Sequence, residues 1–160
     1  MKEIIVDKEG YEQYYKELER LKNISDNNAT VGSEAYKDAI GDGWHDNFAF
    51  EDSMRESRTI ANKINKMLEE EKYLKVIEDN KKDNTIVNIG DTLVLRIKYN
   101  NEDYEEETLK LTGKYIPDID TEISLNSPLG KAIYKQKIKS TISYNINDST
   151  ITVEIIKKQT

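Results

Sequence analysis

The hydrophobic period of the chain changes once, and this change limits the fold more than any other feature of the sequence. Before the segment Asp79–Asn84, apolar residues recur every three or four positions, as on one face of a helix. After it they alternate with polar residues, as in half-buried strands. The segment itself has no apolar residue and is predicted to be a linker. The sequence therefore predicts an α+β protein with two domains, residues 1–79 and residues 80–160.

Two amphipathic helices are predicted in the first domain. Asp7 is placed to cap the first helix, whose apolar seam is Tyr11, Tyr14, Leu18 and Leu21. The pattern weakens at Ser25–Asn28 and at Gly32, so one helix and a helix in two pieces are both open. The second helix is predicted to be about thirty residues, or roughly 45 Å, long. Its apolar positions have near-heptad spacing, which favours coiled-coil pairing with the first helix; they are Phe50, Met54, Ile60, Ala61, Ile64, Met67, Leu68 and Leu74.

The stretch Gly41–Asp52 is predicted to be the tip of this antiparallel helical hairpin. It contains the only tryptophan, the only histidine, both phenylalanines and four carboxylates. Glycines on both sides of Asp42 permit a sharp turn, and Asp46 can cap the helix that follows. The tip therefore presents acidic groups at the end of the hairpin.

Several tip residues have an ordinary structural interpretation beside a functional one. His45 is either a ligand or general base, or a hydrogen-bonding residue in a turn. Trp44 either contacts a partner or packs on the helices, whereas Phe50 is expected to pack. Glu51 and Asp52 fall in the first turn of the second helix, where the helix dipole favours negative charge.

The second domain is predicted to be a small antiparallel sheet with one short helix. Ser127 followed by Pro128 is a helix-start signal. The final hairpin turns at Asn147–Ser149, and an earlier one at Asn100–Asp103. The predicted strands are Ile86–Ile89, Leu93–Tyr99, Glu107–Leu111, Ile123–Leu125, Thr141–Ile146 and Thr150–Ile156.

Charge and composition exclude several classes of function. Residues 1–79 carry a net charge of −7 and residues 80–160 a net charge of zero. Duplex nucleic acid is therefore a poor ligand for the first half, whereas a basic protein surface or a metal ion suits it. The chain has no cysteine, which excludes disulfides and thiolate metal sites. Its apolar runs are too short to span a bilayer, so a cytoplasmic protein without a membrane partner is predicted.

The order of these features resembles the bacterial transcript cleavage factors of the GreA/GreB family along nearly the whole chain. Asp46-Asn47-Phe48-Ala49-Phe50 is similar to the family's Glu-Asn-x-x-Tyr run at the hairpin tip. Ser127-Pro128-Leu129-Gly130-Lys131-Ala132 resembles its Ser-Pro-hydrophobic-small-x-Ala segment. Asn88–Asp91 resembles the start of its second-domain sheet.

The resemblance implies a function and a fold. Such a factor inserts its hairpin into the secondary channel of RNA polymerase, where tip carboxylates help to hold a second Mg²⁺ ion beside the ion of the polymerase. The backtracked RNA 3′ end is then hydrolysed. The factor is not an enzyme alone, because it completes the active site of the polymerase. The second domain is expected to be similar in fold to FKBP-type prolyl isomerases and to dock outside the channel through Ser127, Pro128 and Leu129. A monomer is expected.

The tip departs from the family pattern Gly-Asp-x-x-Glu-Asn at one position. Alignment on Asn47 puts Asp46 at the Glu position and Gly43 at the first Asp, with Asp42 one residue earlier. Asp42 and Asp46 are the predicted catalytic and Mg²⁺-binding pair. Either a different turn lets Asp42 reach the metal, or this chain lacks one ligand. In the second case it would occupy the channel and regulate or inhibit the polymerase without cleavage.

Two alternatives from other classes are weaker. A chaperone or prolyl isomerase would use the second domain, but that domain has no Phe or Trp for an aromatic-lined pocket. A free-standing metal hydrolase is disfavoured by the single histidine. The lysines after the Ser-Pro segment are interpreted as a solvated basic face, with docking as the alternative; they are Lys131, Lys135, Lys137 and Lys139.

Overall fold

The computed structural model describes residues 3–41, 48–78 and 83–159, with side chains described in residues 3–28, 51–78 and 83–159. It divides the chain into two compact units. The first contains Tyr14–Tyr73, and the second joins the chain up to Gln13 with the chain from Leu74 onward. The sequence suggests a single boundary near residue 79. The start of the chain instead groups with its second half, because a strand there pairs with a strand that follows the hairpin.

The first unit contains the predicted antiparallel helical hairpin. Helix α1 (Lys8–Gly41) is followed by helix α2 (Phe48–Glu70) and a 3-10 turn at Glu71–Tyr73. The Tyr14 hydroxyl donates a hydrogen bond to the Met67 carbonyl. Farther along α1, the Asn28 carbonyl accepts one from the Ser53 hydroxyl at 3.3 Å. The contact near the start of α1 is therefore with the end of α2, and the contact farther along α1 is with the beginning of α2. The prediction of an antiparallel pair is confirmed.

Among the side chains that the structure describes in these two helices, few are buried. Of the predicted seam of α1, Tyr14, Leu18 and Leu21 are buried, whereas Tyr11 is 40% exposed. Met67 and Ile60 are their buried counterparts on α2.

Two other apolar positions predicted for the buried face of α2 are largely in solvent. The side chains of Met54 and Leu68 are 41% and 43% exposed. The apolar stripe of α2 is therefore narrower than its sequence suggests.

Both helices differ in extent from the sequence interpretation. The backbone of α1 is one continuous helix through Ser25–Asn28 and Gly32. Polar residues cost a few tenths of a kcal/mol and glycine about 1 kcal/mol inside a helix, and a 34-residue helix packed on a partner tolerates both. Helix α2 ends at Glu70 and does not reach Leu74. Leu74 lies in a strand, because its backbone pairs with Ile4.

The second unit has two sheets. Strand β1 (Ile4–Val6) pairs in parallel with β2 (Leu74–Val76). The other sheet has five strands, which are β3 (Thr92–Tyr99), β4 (Glu105–Thr112), β5 (Glu122–Ser124), β6 (Thr141–Ile146) and β7 (Ser149–Gln159). Their order in the sheet is β5-β4-β3-β7-β6. A short helix, α3 (Pro128–Ile133), lies between β5 and β6 in sequence.

The core of this unit lies on one face of the five-stranded sheet. Alternation along β3 buries Leu93, Leu95 and Ile97, while Arg96 is exposed on the other face. The neighbouring strand β7 contributes Ile151, Val153 and Ile155 in the same way, and α3 adds Ile133. The alternating pattern therefore predicted the buried face correctly.

Two details of the sheet differ from expectation. Residues Ile86–Ile89 do not form a strand of the sheet. Ile86 makes an isolated bridge with Lys137, and the Val87 backbone is hydrogen-bonded to residues 135 and 136. The Asn88 N–H is bonded instead to the Asp91 carboxylate at 2.8 Å, in the turn that Gly90 makes with φ 91°. Strand β5 pairs with β4 in parallel, so the sheet is not purely antiparallel. The nine residues between β4 and β5 carry the chain back before β5 begins, which permits the parallel direction.

Candidate functional site

The predicted catalytic pair falls between the two helices of the hairpin. Helix α1 ends at Gly41 and helix α2 begins at Phe48. Asp42 and Asp46, with Trp44 and His45, lie outside the described residues. Their metal-binding and catalytic roles therefore stay predictions.

The first described side chains after this stretch are acidic and exposed. Glu51 lies in the first turn of α2, as the sequence predicts. The Asp52 carboxylate is 3.9 Å from the Arg55 guanidinium, one turn along the helix. Both members of this pair are largely in solvent, so it contributes little to stability.

The predicted docking segment begins α3. The Ser127 hydroxyl accepts a hydrogen bond from the Gly130 N–H at 3.0 Å, as an N-cap does. The same hydroxyl donates to the Ser124 carbonyl at 2.7 Å. Pro128 occupies the first helical turn, and Leu129 packs partly buried against the core. The helix-start interpretation is confirmed, whereas the docking role of Ser127, Pro128 and Leu129 stays a prediction.

Gly130 is required by the tight corner that precedes α3. A Cβ atom at this position would lie 2.0 Å from the Ser124 carbonyl oxygen. No side chain fits there without moving backbone. The small residue of the Ser-Pro segment therefore has a steric reason.

A groove of about 850 Å³ opens beside the docking segment. Its apolar wall includes Leu129, Leu109 and Ile123, and Ile119 stands at its margin with 91% of its surface exposed. The exposed acidic residues Glu107 and Asp120 also line it. Such a surface suits a partner that presents an apolar side chain flanked by basic groups.

Glu122 lines the groove and is hydrogen-bonded to the chain segment that carries Ile119. One carboxylate oxygen accepts from the Asp118 N–H at 2.8 Å, and the other is 2.9 Å from the Lys114 ammonium. The backbone hydrogen bond from Asp118, and then the bond from Lys114, lower the pKa of the Glu122 carboxyl. The Glu122 hydrogen bond also raises the pKa of Lys114. The bond from Asp118 closes the turn that carries Ile119, and the bond from Lys114 links this turn to the chain before it.

Sequence reasoning found only one side of this groove. Ser127-Pro128-Leu129 is visible because a cap and a proline are contiguous. Leu109 and Ile119 are not, because they come from a strand and a turn and meet Leu129 only in the fold. An isoleucine between two aspartates is the one local signal that could have drawn attention to Ile119.

The predicted basic face is partly structural. The Lys135 ammonium donates to the Asn88 side-chain oxygen at 3.0 Å and lies over the Tyr134 ring. Asn88 is fully buried, so Lys135 helps to satisfy a polar group in the core. Lys131, Lys137 and Lys139 are exposed, in agreement with a solvated face.

In the part of the chain that the structure describes, His, Cys, Asp and Glu form no group of three or more that could hold a metal ion. None of the described helices combines the length and the apolar character needed to cross a membrane.

Comparison with known proteins gives consistent matches along the chain. The family model described as "Transcription elongation factor, GreA/GreB, C-term" matches residues 82–159. Transcription elongation factor GreA of Syntrophomonas wolfei is 32% identical over 158 residues, covering 98% of this chain and 96% of the relative. Transcription elongation factor GreA of Clostridioides difficile is 26% identical over 157 residues, covering 98% and 96%.

A solved structure is also similar. GreA factor homolog 1 (Gfh1) of Thermus thermophilus has a TM-score of 0.46 and 17% identity, covering 99% of this chain and all of the other.

Proposed function

The chain belongs to the GreA/GreB family of transcription elongation factors, and we propose that it binds bacterial RNA polymerase through the secondary channel and promotes cleavage of backtracked RNA. The observation that carries the proposal is the 32% identity to a transcription elongation factor GreA along 98% of the chain. The α1–α2 hairpin supports it, since the acidic stretch 42–46 lies between the end of one helix and the start of the next. We place the protein in the cytoplasm, as a monomer that contacts the RNA 3′ end only within the polymerase complex.

The hairpin would carry the chemical part of this function. We assign Asp42 and Asp46 as carboxylates that help to hold a Mg²⁺ ion shared with the polymerase. Mg²⁺ prefers oxygen ligands and often takes only one or two protein carboxylates beside substrate phosphates. When bound, the ion would offset the negative charge that develops on the phosphodiester during hydrolysis. The protein is then an accessory factor and not an enzyme alone.

The second unit would dock on the polymerase. We extend the predicted docking segment Ser127, Pro128 and Leu129 to the groove beside it, including Ile119. The apolar wall and the surrounding carboxylates favour a polymerase surface with an apolar side chain between basic groups. Because residues 80–160 carry a net charge of zero, we expect the local charges around the groove to guide docking, rather than long-range electrostatic attraction.

The experiment is RNA sizing after incubation with a backtracked elongation complex and Mg²⁺. Wild-type protein is expected to shorten the RNA from its 3′ end. The double variant Asp42→Ala, Asp46→Ala is expected to bind equally well and to cleave at least about 100-fold more slowly, since loss of several kcal/mol of charge stabilisation has this effect. A double variant of two exposed turn carboxylates, Asp103→Ala and Asp148→Ala, removes the same charge elsewhere and should cleave normally.

Each other outcome has a defined meaning. Wild-type protein that binds the complex without shortening the RNA would overturn the cleavage proposal. If it also slowed nucleotide addition, it would be a channel-occupying regulator, as the displaced Asp42 allows. Wild-type protein that does not bind would overturn the polymerase proposal itself.

A further inference from the structure

Asn126, the residue before the docking segment, is hydrogen-bonded to the first strand of the chain. Its side-chain oxygen accepts from the Ile5 N–H at 2.8 Å, and its side-chain nitrogen donates to the Ile5 carbonyl at 2.8 Å. An asparagine side-chain amide carries an acceptor oxygen and a donor NH₂ in one plane. It can therefore bond the N–H and the C=O of Ile5 as the backbone of a neighbouring strand would. Strand β1 thus has β2 on one side and Asn126 on the other.

The same asparagine lies in the corner that leads into α3. Its N–H donates to the Ser124 hydroxyl at 3.1 Å. Leu125 before it is anchored to the Thr112 carbonyl at 3.0 Å, and Ser127 after it donates from its N–H to the Ser124 carbonyl at 3.0 Å. The side chain of Asn126 therefore joins a rigid corner to β1 through two hydrogen bonds.

Strand β1 is itself held firmly. Its next residue, Asp7, caps α1 by accepting from the Gly10 N–H at 2.7 Å, and the Asp7 N–H donates to the Gly113 carbonyl at 3.0 Å. The Gln13 side chain exchanges two hydrogen bonds with the Ile116 backbone, at 3.0 and 2.8 Å. Residues 3–13 are therefore held in place by several hydrogen bonds independent of those to Asn126.

From these contacts we infer that Asn126 is a positioning residue, through which β1 holds the docking segment Ser127, Pro128 and Leu129 in its binding conformation. The inference rests on the proposed polymerase docking for its functional consequence. Its structural part does not depend on that function. It says that the backbone of Ile5 keeps Ser127–Gly130 ordered, although Ile5 lies outside the matched range 82–159.

A double-mutant cycle in the full chain tests this link. Asn126→Ala removes both bonds from one side. Ile5→Pro removes the N–H from the other side without altering the docking segment. Each variant is expected to weaken polymerase binding about tenfold in competition with labelled wild-type protein, and the double variant no more than Asn126→Ala alone, because that substitution already removes both bonds. Asn145→Ala, on the opposite edge strand β6, is the matched control and should bind normally.

Hydrogen exchange in the free protein gives a second readout, independent of polymerase. In Ile5→Pro, the N–H groups of Ser127 and Gly130 should exchange at least about tenfold faster than in the control, since local opening sets their exchange rates. If Ile5→Pro does not fold, exchange is measured in Asn126→Asp instead, because its carboxylate keeps the acceptor but has no donor for the Ile5 carbonyl.

The outcomes separate the alternatives. Additive losses of affinity, or normal binding by folded Ile5→Pro, would mean that Asn126 contacts the polymerase directly and would overturn the inference. Reduced thermal stability with unchanged affinity and exchange at the corner would leave Asn126 a purely structural residue and also overturn it. If wild-type protein fails to bind polymerase, the proposed function fails, while the exchange result still decides the positioning role.

Discussion

The hairpin unit and the sheet unit bury their side chains differently, and the difference shows where each part of the function can reside. Along the hairpin, single buried side chains such as Leu18, Leu21 and Met67 follow one another in a row. The sheet unit has a contiguous core of eleven buried apolar residues. A contiguous core can hold a shaped groove in place. Among the described side chains the larger core lies in the sheet unit, which is the unit that we propose for docking.

The largest expected effect is a cavity in the sheet core. Leu95→Ala, at a fully buried position of β3, should lower the free energy of unfolding by about 3 kcal/mol. Leu68→Ala, at a 43% exposed position of α2, should lower it by less than about 0.5 kcal/mol. Urea denaturation followed by circular dichroism measures both. Equal losses would show that the hairpin depends on Leu68 more than its exposure allows.

A smaller effect, with an unexpected sign, is predicted where α1 begins. Glycine to alanine inside a helix normally stabilises by about 1 kcal/mol. At Gly10, however, a Cβ atom would lie 2.1 Å from the Gly113 carbonyl oxygen. Gly10→Ala should therefore destabilise the protein by about 2 kcal/mol, because the two backbones must separate.

Thermal and urea denaturation would measure this loss. Gly32→Ala in the same helix is the comparison variant and tests helix propensity within the hairpin. Stabilisation by Gly10→Ala would show that the approach of α1 to Gly113 is not required.

The smallest effect concerns two glutamates, one in each unit. The pKa of Glu17 is lowered chiefly by the Arg20 hydrogen bond on the hairpin surface. That of Glu122 is lowered first by the Asp118 N–H and then by Lys114, with only 8% of its side chain exposed. A carboxyl whose pKa is lowered in the folded state stabilises the fold at pH values above its ordinary pKa of 4.5. This stabilisation is lost as the pH falls through the folded-state pKa.

Glu17→Gln and Glu122→Gln should each flatten the fall in stability below that pH. At about 1 M salt the effect of Glu17→Gln should vanish, because exposed pairs are screened, while that of Glu122→Gln should remain. Melting temperatures measured against pH at two salt concentrations test this. Equal salt sensitivity would show that Glu122 is as open to solvent as Glu17.

The sequence predicted those parts of the fold whose signals are local. Alternation along β3, the Ser127 cap and the seam through Tyr14 and Leu18 each lie within a few neighbouring residues. The α2 end at Glu70 could not be predicted, because Leu74 continues the helical spacing and its strand partner Ile4 is 70 residues away. The parallel direction of β5 was missed for the same reason.

The candidate site divides in the same way. Ser127 and Pro128 were found from contiguous residues, but the groove wall from Leu109 and Ile119 depends on how separate segments meet. Asn126 carried no signal at all, since its partner is a backbone group with no side-chain signature. The tip pair Asp42 and Asp46 rests on resemblance and on the family, and not on described geometry.

The two hydrogen bonds between Ile5 and Asn126 can form only late in the synthesis of the chain. The two residues are 121 positions apart, so at 5–20 residues per second Asn126 is made roughly 6–24 s after Ile5. Helices form within about a microsecond, so α1 and α2 can pair while the ribosome is still elongating the sheet. Strand β1 can pair with β2 as soon as Leu74–Val76 is made, but it gains its bonds to Asn126 only after β3, β4 and β5 have been made.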